Sequence, residues 1–452
     1  MTRYAWGLAL LALVGCSSES DDNKGSGGSG AMATGGAAGT SGSGGANTGG
    51  TAGGGGSAGT SGSGGAGGSV SPDKLPLIDI TDLQYEGALR LPASDFGISS
   101  LNYSQGPIAY DAKRKSIYIV GHDYQQAIAE FAVPALTNST TLTDLKMAGA
   151  PTQTFASMLD RVGSNPNALD KLGGMAVLEG ANGPELLVHA FEYYDAPADN
   201  TQTTLVVRDP TQLGSSKVDG FYSFAGAAHT VGWISPIPNE WQSLLGGKVL
   251  TGGSSGWPII GRLSVGPSAF VFDAADVVGN ASPPGNVSTT ALLDFSLNNP
   301  LDADLSNDSG TNDLWTHLSR AAYGFIAPGT RTYVTLGSSG GHASGVCYKC
   351  TPSGASQPCG GYCSKDGSDY DNYFWFWDVN DLVKVKQGAL QPHAVKPYAH
   401  GKFATPFSSK DIGGGSFDPG SGLLYLTLQH ADDGQGQYNN PPVVLAYSIK
   451  KK

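Results

Sequence analysis

The chain has 452 residues, 67 of them Gly, and only 14% of it is charged, well below the roughly 25% usual for soluble domains. Lys plus Arg number 26 against 38 Asp plus Glu, a formal net charge of -12, and that balance argues against a nucleic-acid partner. No apolar run reaches the ~18 residues that span a bilayer, which excludes a multi-pass membrane protein.

Residues 1–15 read as a secretory signal: Arg3 supplies a positive start, Tyr4 to Leu13 a short apolar stretch, and Leu13-Val14-Gly15-Cys16 follows. This ending resembles the bacterial lipoprotein signal, in which a small residue precedes the Cys that becomes the lipidated N-terminus. The resemblance implies cleavage between Gly15 and Cys16, a lipid (palmitate-bearing) anchor on Cys16, and a place on the outer membrane or cell surface. The membrane is then met through that lipid alone. Residues 16–72 read as a tether. From Gly25 to Val70 there are 22 Gly in 46 residues and no charge, a composition that cannot bury enough apolar surface to fold. As a flexible coil, about 50 such residues reach ~40 Å.

Residues 73–452 form the folding unit. Removing Arg3, Lys24, Glu19, Asp21 and Asp22 from the totals leaves 24 basic and 35 acidic residues, a net of -11. Apolar alternation is short and turn signals recur, so the domain reads as all-β. Helical periodicity is confined to Phe155–Val162 and Asn239–Leu245, each stopped by Gly.

Internal repetition chooses among β architectures. Tyr110-Asp111 is followed, after a polar turn, by Ser116-Ile-Tyr118. Phe417-Asp418 precedes Pro-Gly-Ser-Gly and then Leu424-Tyr425, and Gly324-Phe325 precedes Pro328-Gly329 and then Tyr333. A looser copy runs from Gly173 to Leu187. The units also close alike: Phe272-Asp273, Trp377-Asp378 and, more weakly, Arg208-Asp209 end strands. This grammar resembles β-propeller blades of the NHL and lactonase-like kind. It implies five to seven blades, six favoured, from units near 106, 173, 256, 324 and 414 with room for a hidden one. Tyr85 to Leu91 reads as a lone strand that completes the last blade and closes the ring.

In such a blade the loop between strands two and three shares a face with the loop entering strand one. That parity gathers His122, Asp123, His189, Glu192, Tyr194, Asp195, His342, His430 and Asp432 on one face, opposite the tight turns at Lys113-Arg114 and Pro419-Gly420. The imidazoles are candidate acids, bases or metal ligands, and the carboxylates are candidate calcium ligands. Neither set has a recognised ligand spacing, so the catalytic residues and the cofactor stay open.

Other motifs are weaker. Gly252-Gly-Ser254-Ser-Gly256 matches G-x-S-x-G but lacks the helix that should follow. Asp302 to Asp308 lacks the glycine placement and terminal Glu of a calcium loop. Tyr193-Tyr194 and Tyr370 to Trp377 suit either sugar stacking or packing between blades. Cys347, Cys350, Cys359 and Cys363 can be drawn as a tetrathiolate zinc site, but the gap between pairs is short and the compartment oxidising. They read as two disulfides of open connectivity that staple a long insertion. The expectation for function is a monomeric, surface-tethered binding module for an extracellular glycan, peptide or protein. The alternative is a secreted hydrolase or lyase, with a divalent metal as an option.

Overall fold

The computed structural model describes residues 70–195, 200–254 and 265–450. Cys16 and the tether up to residue 69 lie outside them. Strand β1 (Leu83–Arg90) is set apart from the first blade, β2 (Ile108–Asp111), β3 (Ser116–Val120), β4 (Ala127–Ala132) and β5 (Gln153–Ser157). The second blade is β6 (Lys171–Gly180), β7 (Gly183–Phe191), β8 (Gln202–Val207) and β9 (Val218–Phe224). The third is β10 (Trp233–Pro236), helix α1 (Asn239–Leu245), β11 (Val249–Gly252), β12 (Ala269–Phe272) and β14 (Thr290–Leu293). Its β13 (Asn286–Val287) crosses over to pair with β9. The fourth is β15 (Arg320–Ile326), β16 (Thr332–Gly340), β19 (Tyr370–Asp378), helix α2 (Val379–Lys386) and β20 (Ala399–Lys402). It carries an inserted hairpin, β17 (Val346–Tyr348) and β18 (Tyr362–Ser364). The fifth is β21 (Ile412–Asp418), β22 (Leu423–Leu428) and β23 (Val443–Ile449), with β1 added antiparallel to β23 from Leu83↔Ile449 to Arg90↔Val443.

The molecule is thus an all-β, five-bladed propeller. Five is the lower end of the expected range, because among the described residues the long insertions hold loops and a two-stranded hairpin and no sixth blade. The third blade starts at Trp233 and not near 256. Its first strand is only four residues, ends in Pro236, and carries no aromatic-Asp signal. As expected, β1 closes the ring by completing the fifth blade as its outer strand.

The repeated Asp residues have a local cause. Asp111 Oδ1 accepts from the Lys113 and Arg114 N–H groups, and Asp418 accepts from Gly420 and Ser421, which fixes the tight turn after strand one. At the other end of the unit Asp209, Asp273 and Asp378 accept from the N–H two residues on, capping a helical turn. Asn239–Leu245 is helical as expected. Phe155–Val162 is not: Phe155 lies in β5, buried against Phe131, and blade packing overrides an eight-residue helical pattern.

The inner strands β2, β6, β10, β15 and β21 meet around the axis, and glycines let them approach. A Cβ on Gly174 would lie 2.4 Å from Trp233 Cα, and one on Gly414 2.7 Å from Gly106 O. Only about 10 Å³ stays free among Met175, Trp233, Tyr323 and their neighbours, so the channel is closed by side chains. Trp233, Trp315, Trp375 and Trp377 are fully buried between blades. Each such ring removes on the order of 200 Å² from water, about 5 kcal/mol before chain entropy. Among the described residues no helix is long and apolar enough to cross a membrane.

Candidate functional site

Strand direction divides the ring into a loop face and a turn face. Two cavities open on the turn face. One of about 490 Å³ is lined by Pro76, Pro328, Thr330, Phe417, Ser421 and Lys450, and another of about 340 Å³ by Tyr110, Asp111, Ala176, Tyr323, Phe417 and Asp418. Lys113 and Glu179 at the rim of the second pair at 2.7 Å, and Asp111 and Asp418 are taken up by the tight turns. On the loop face the His and carboxylate side chains gather.

At the mouth of the axis, Lys171 opens β6 and Arg320 opens β15, while Asp411 stands just before β21. Lys171 pairs with Asp123 of the first blade at 2.8 Å, and Arg320 with Asp411 of the fifth at 2.6 Å. Both pairs therefore bridge neighbouring blades. Further out, the short helical turn Ala227–Thr230 that leads into β10 places His229 Nδ1 2.6 Å from Asp294 Oδ1, just beyond β14. The other ring nitrogen of His229 has no hydrogen-bond partner among the described residues, and the His229 side chain keeps 18% of its exposure. An imidazole fixed through one nitrogen by a carboxylate, with the second nitrogen open, is the arrangement a general acid–base needs. Sequence reading missed His229, because its partner lies 65 residues away and no spacing signals the pair.

The residues expected from the sequence divide. His122 and His430 both contact Tyr103, at ring-centroid distances of 5.6 and 6.1 Å, so the first and fifth blades meet over one tyrosine. Asp123 belongs to the mouth. Glu192 holds Asn200 at 2.8 Å, and Tyr194 is exposed. The polar atoms of four others are taken up within the fold. His189 lies in β7, fully buried between blades, 2.8 Å from Thr204 Oγ1 and 3.0 Å from Thr251 Oγ1. Asp195 is buried and accepts from the Asn200 N–H. Both nitrogens of His342 are engaged, by Ser339 Oγ at 2.6 Å and Asn312 O at 2.9 Å, and burial lowers its pKa. Asp432 is buried in a two-pronged pair with Arg90. Strand alternation turns His189 inward and a partner 342 residues away claims Asp432, while Asp195 and His342 are held largely by their own loops.

Burial also holds the His189 pKa down, to about 3 from 6.5. Above pH 6.5 neither state is protonated there and the group is silent. Below it the unfolded chain takes a proton that the folded one refuses, so stability falls as pH drops from 6.5 toward 3. Relative to His189→Gln, the parent is expected to lose about 1.4 kcal/mol per pH unit in that window. Urea unfolding at several pH values measures this, and a constant difference would contradict it.

The remaining motifs are structural as well. Ser254 Oγ accepts from Ala321 N–H and donates to Ala321 O, which removes it as a nucleophile. Asp304 accepts from Asp308 and Ser309 N–H groups, as in a turn. Tyr373 to Trp377 are core. The cysteines form Cys347–Cys350 and Cys359–Cys363 disulfides. Among the described residues no three His or carboxylate side chains converge on one point, so the calcium expectation finds no ready cage.

Eight tyrosines of the described residues are exposed. Tyr103, Tyr124, Tyr193, Tyr194 and Tyr438 lie on loops of the loop face, Tyr348 and Tyr362 on the hairpin inserted there, and Tyr398 lies elsewhere. Seven of eight on one side is a concentration that core packing does not require, since exposed rings contribute little to stability.

No protein-family model matches the chain, and no curated protein matches it in sequence. Solved structures do align with it. An exo-1,5-alpha-L-arabinanase from a bovine ruminal metagenomic library is 8% identical, with 78% of this chain and 95% of that one covered and a TM-score of 0.36. An alpha-L-arabinofuranosidase from Lactobacillus brevis is 8% identical, covering 82% and 94%, with a TM-score of 0.39. A GH62 alpha-L-arabinofuranosidase catalytic domain from Coprinopsis cinerea is 11% identical, covering 83% and 98%, with a TM-score of 0.37. These three proteins are enzymes by name, in contrast to the leading expectation of a non-catalytic binding module.

Proposed function

We propose that the protein is a hydrolase of extracellular glycans, working on the loop face. The observation that carries this is that seven exposed tyrosines share the loop face with the Asp123, Asp411 and His229–Asp294 groups. Flat aromatic rings with a polar edge suit the apolar faces of sugar rings. Glycosidic cleavage passes through a transition state with positive charge on the sugar, which carboxylates favour. In this reading the tyrosines hold the chain of sugars, and the Lys171–Asp123 and Arg320–Asp411 pairs line the mouth of the axis with polar groups. His229 moves the proton, and Asp294 fixes its tautomer. A panel of plant and microbial polysaccharides and aryl glycosides, assayed for new reducing ends, tests the reading. Release of sugar by the parent chain supports it, and no release from any of them overturns it.

The reading includes an anchor at Cys16 and a place on the bacterial surface. Support comes from the sequence itself, where Leu13-Val14-Gly15-Cys16 closes a short apolar stretch. Cys16→Ser is expected to move the protein from the membrane to the soluble fraction of the cell, and unchanged partitioning would remove the anchor.

A further inference from the structure

The inserted hairpin sets Cys347 directly opposite Cys363 across β17 and β18. Cys363 Sγ lies 3.8 Å from Cys347 Sγ and 3.6 Å from Cys350 Sγ, although it is bonded to neither. The Cys359 N–H donates to Cys350 O at 2.9 Å, which brings the two Cys pairs together through the backbone as well. Two independent disulfides do not require their sulfurs to touch. A tetrahedral zinc–thiolate centre does: with Zn–S near 2.3 Å, its sulfur–sulfur edges are about 3.8 Å. Cys347, Cys350 and Cys363 are also the one group of described residues whose ligand atoms converge as a metal site would need. Cys359, bonded to Cys363, is in reach as the fourth ligand.

We infer that these four cysteines form a redox-switched zinc site: two disulfides when oxidised, one tetrathiolate zinc centre when reduced. Each disulfide takes two electrons and two protons from a dithiol, which leaves as its own disulfide. The four thiols give up their protons to solvent as Zn²⁺ enters. Four thiolates around one Zn²⁺ leave a charge of about -2, and two cations, Lys349 within the first Cys pair and Lys365 two residues past Cys363, are its neighbours in sequence. Either state staples the hairpin that carries Tyr348 and Tyr362, whose rings lie 5.1 Å apart. The inference does not depend on the glycan reading.

The test uses the full chain and zinc itself. After reduction with a dithiol, incubation with Zn²⁺ and desalting, elemental analysis is expected to give about one zinc per chain. The oxidised chain and a Cys347→Ser/Cys363→Ser variant should hold none. Because that variant may lose its staple altogether, the parent supplies a second readout. A thiol oxidant added to the zinc-loaded protein should release the metal to a chromogenic chelator, in step with the loss of four thiols. Zinc content equal in reduced and oxidised protein, or thiol loss without zinc release, overturns the site.

Discussion

Replacing His229 by Ala is expected to slow glycan hydrolysis by about 10²- to 10⁴-fold, the usual contribution of a positioned acid–base, or roughly 3–5 kcal/mol of barrier. The side chain has one hydrogen bond, to Asp294, and is partly open to solvent, so its loss removes little packing and the thermal midpoint should hardly move. Asp294→Asn keeps the shape but removes the charge that favours one tautomer and steadies the imidazolium, so it should lower kcat in the same way. Combining the two changes should cost little more than either alone, since a dyad acts as one unit. Tyr124→Ala should instead raise KM with kcat kept, because a ring that only holds the sugar chain binds ground and transition states alike. Full activity in both dyad variants would discard His229 as the proton carrier while leaving a measured glycan activity in place.

That dyad marks the limit of what the sequence discloses. Blade grammar was legible because it is local: Tyr110-Asp111 and Phe417-Asp418 close turns within four residues, and Asp209, Asp273 and Asp378 cap turns two residues away. Closure by Tyr85 to Leu91 was legible because a ring has one strand too few without it. The face of each loop followed from counting strands. Whether a polar side chain on that face points outward did not follow. His189 and Asp432 look like loop chemistry in one dimension, yet a strand that continues to Phe191 buries the first, and Arg90, 342 residues away, claims the second. The mouth of the axis needed Lys171 and Arg320 at the starts of inner strands, where their partners come from adjacent blades. The third blade was misplaced because its first strand has four residues, too few for alternation to show.

Arg90 yields the largest expected change in stability. It ends β1, the strand that completes the fifth blade, and its guanidinium reaches Asp432 through Nε at 2.7 Å and Nη2 at 3.0 Å. Gln435 Nε2 adds a third bond to the carboxylate at 2.6 Å. The Asp432 side chain has no exposure and Arg90 keeps 15%, so the two partners are not equivalent. Arg90→Met leaves a carboxylate buried with only neutral donors and is expected to cost about 3–5 kcal/mol. Asp432→Asn leaves a guanidinium that turns toward water, and should cost less. Arg90→Met combined with Asp432→Leu should recover part of the loss, because a buried pair replaced by apolar side chains no longer carries an uncompensated charge. The loss falls on the joint between the chain ends. When β1 leaves β23, the fifth blade keeps three strands and exposes the edge that closure covers. Urea unfolding of the three variants measures the energies, and limited proteolysis should cut Arg90→Met first within residues 83–90. A cost under about 1 kcal/mol, the value of an exposed ion pair, would mean that strand pairing alone, from Leu83↔Ile449 to Arg90↔Val443, holds the ring shut.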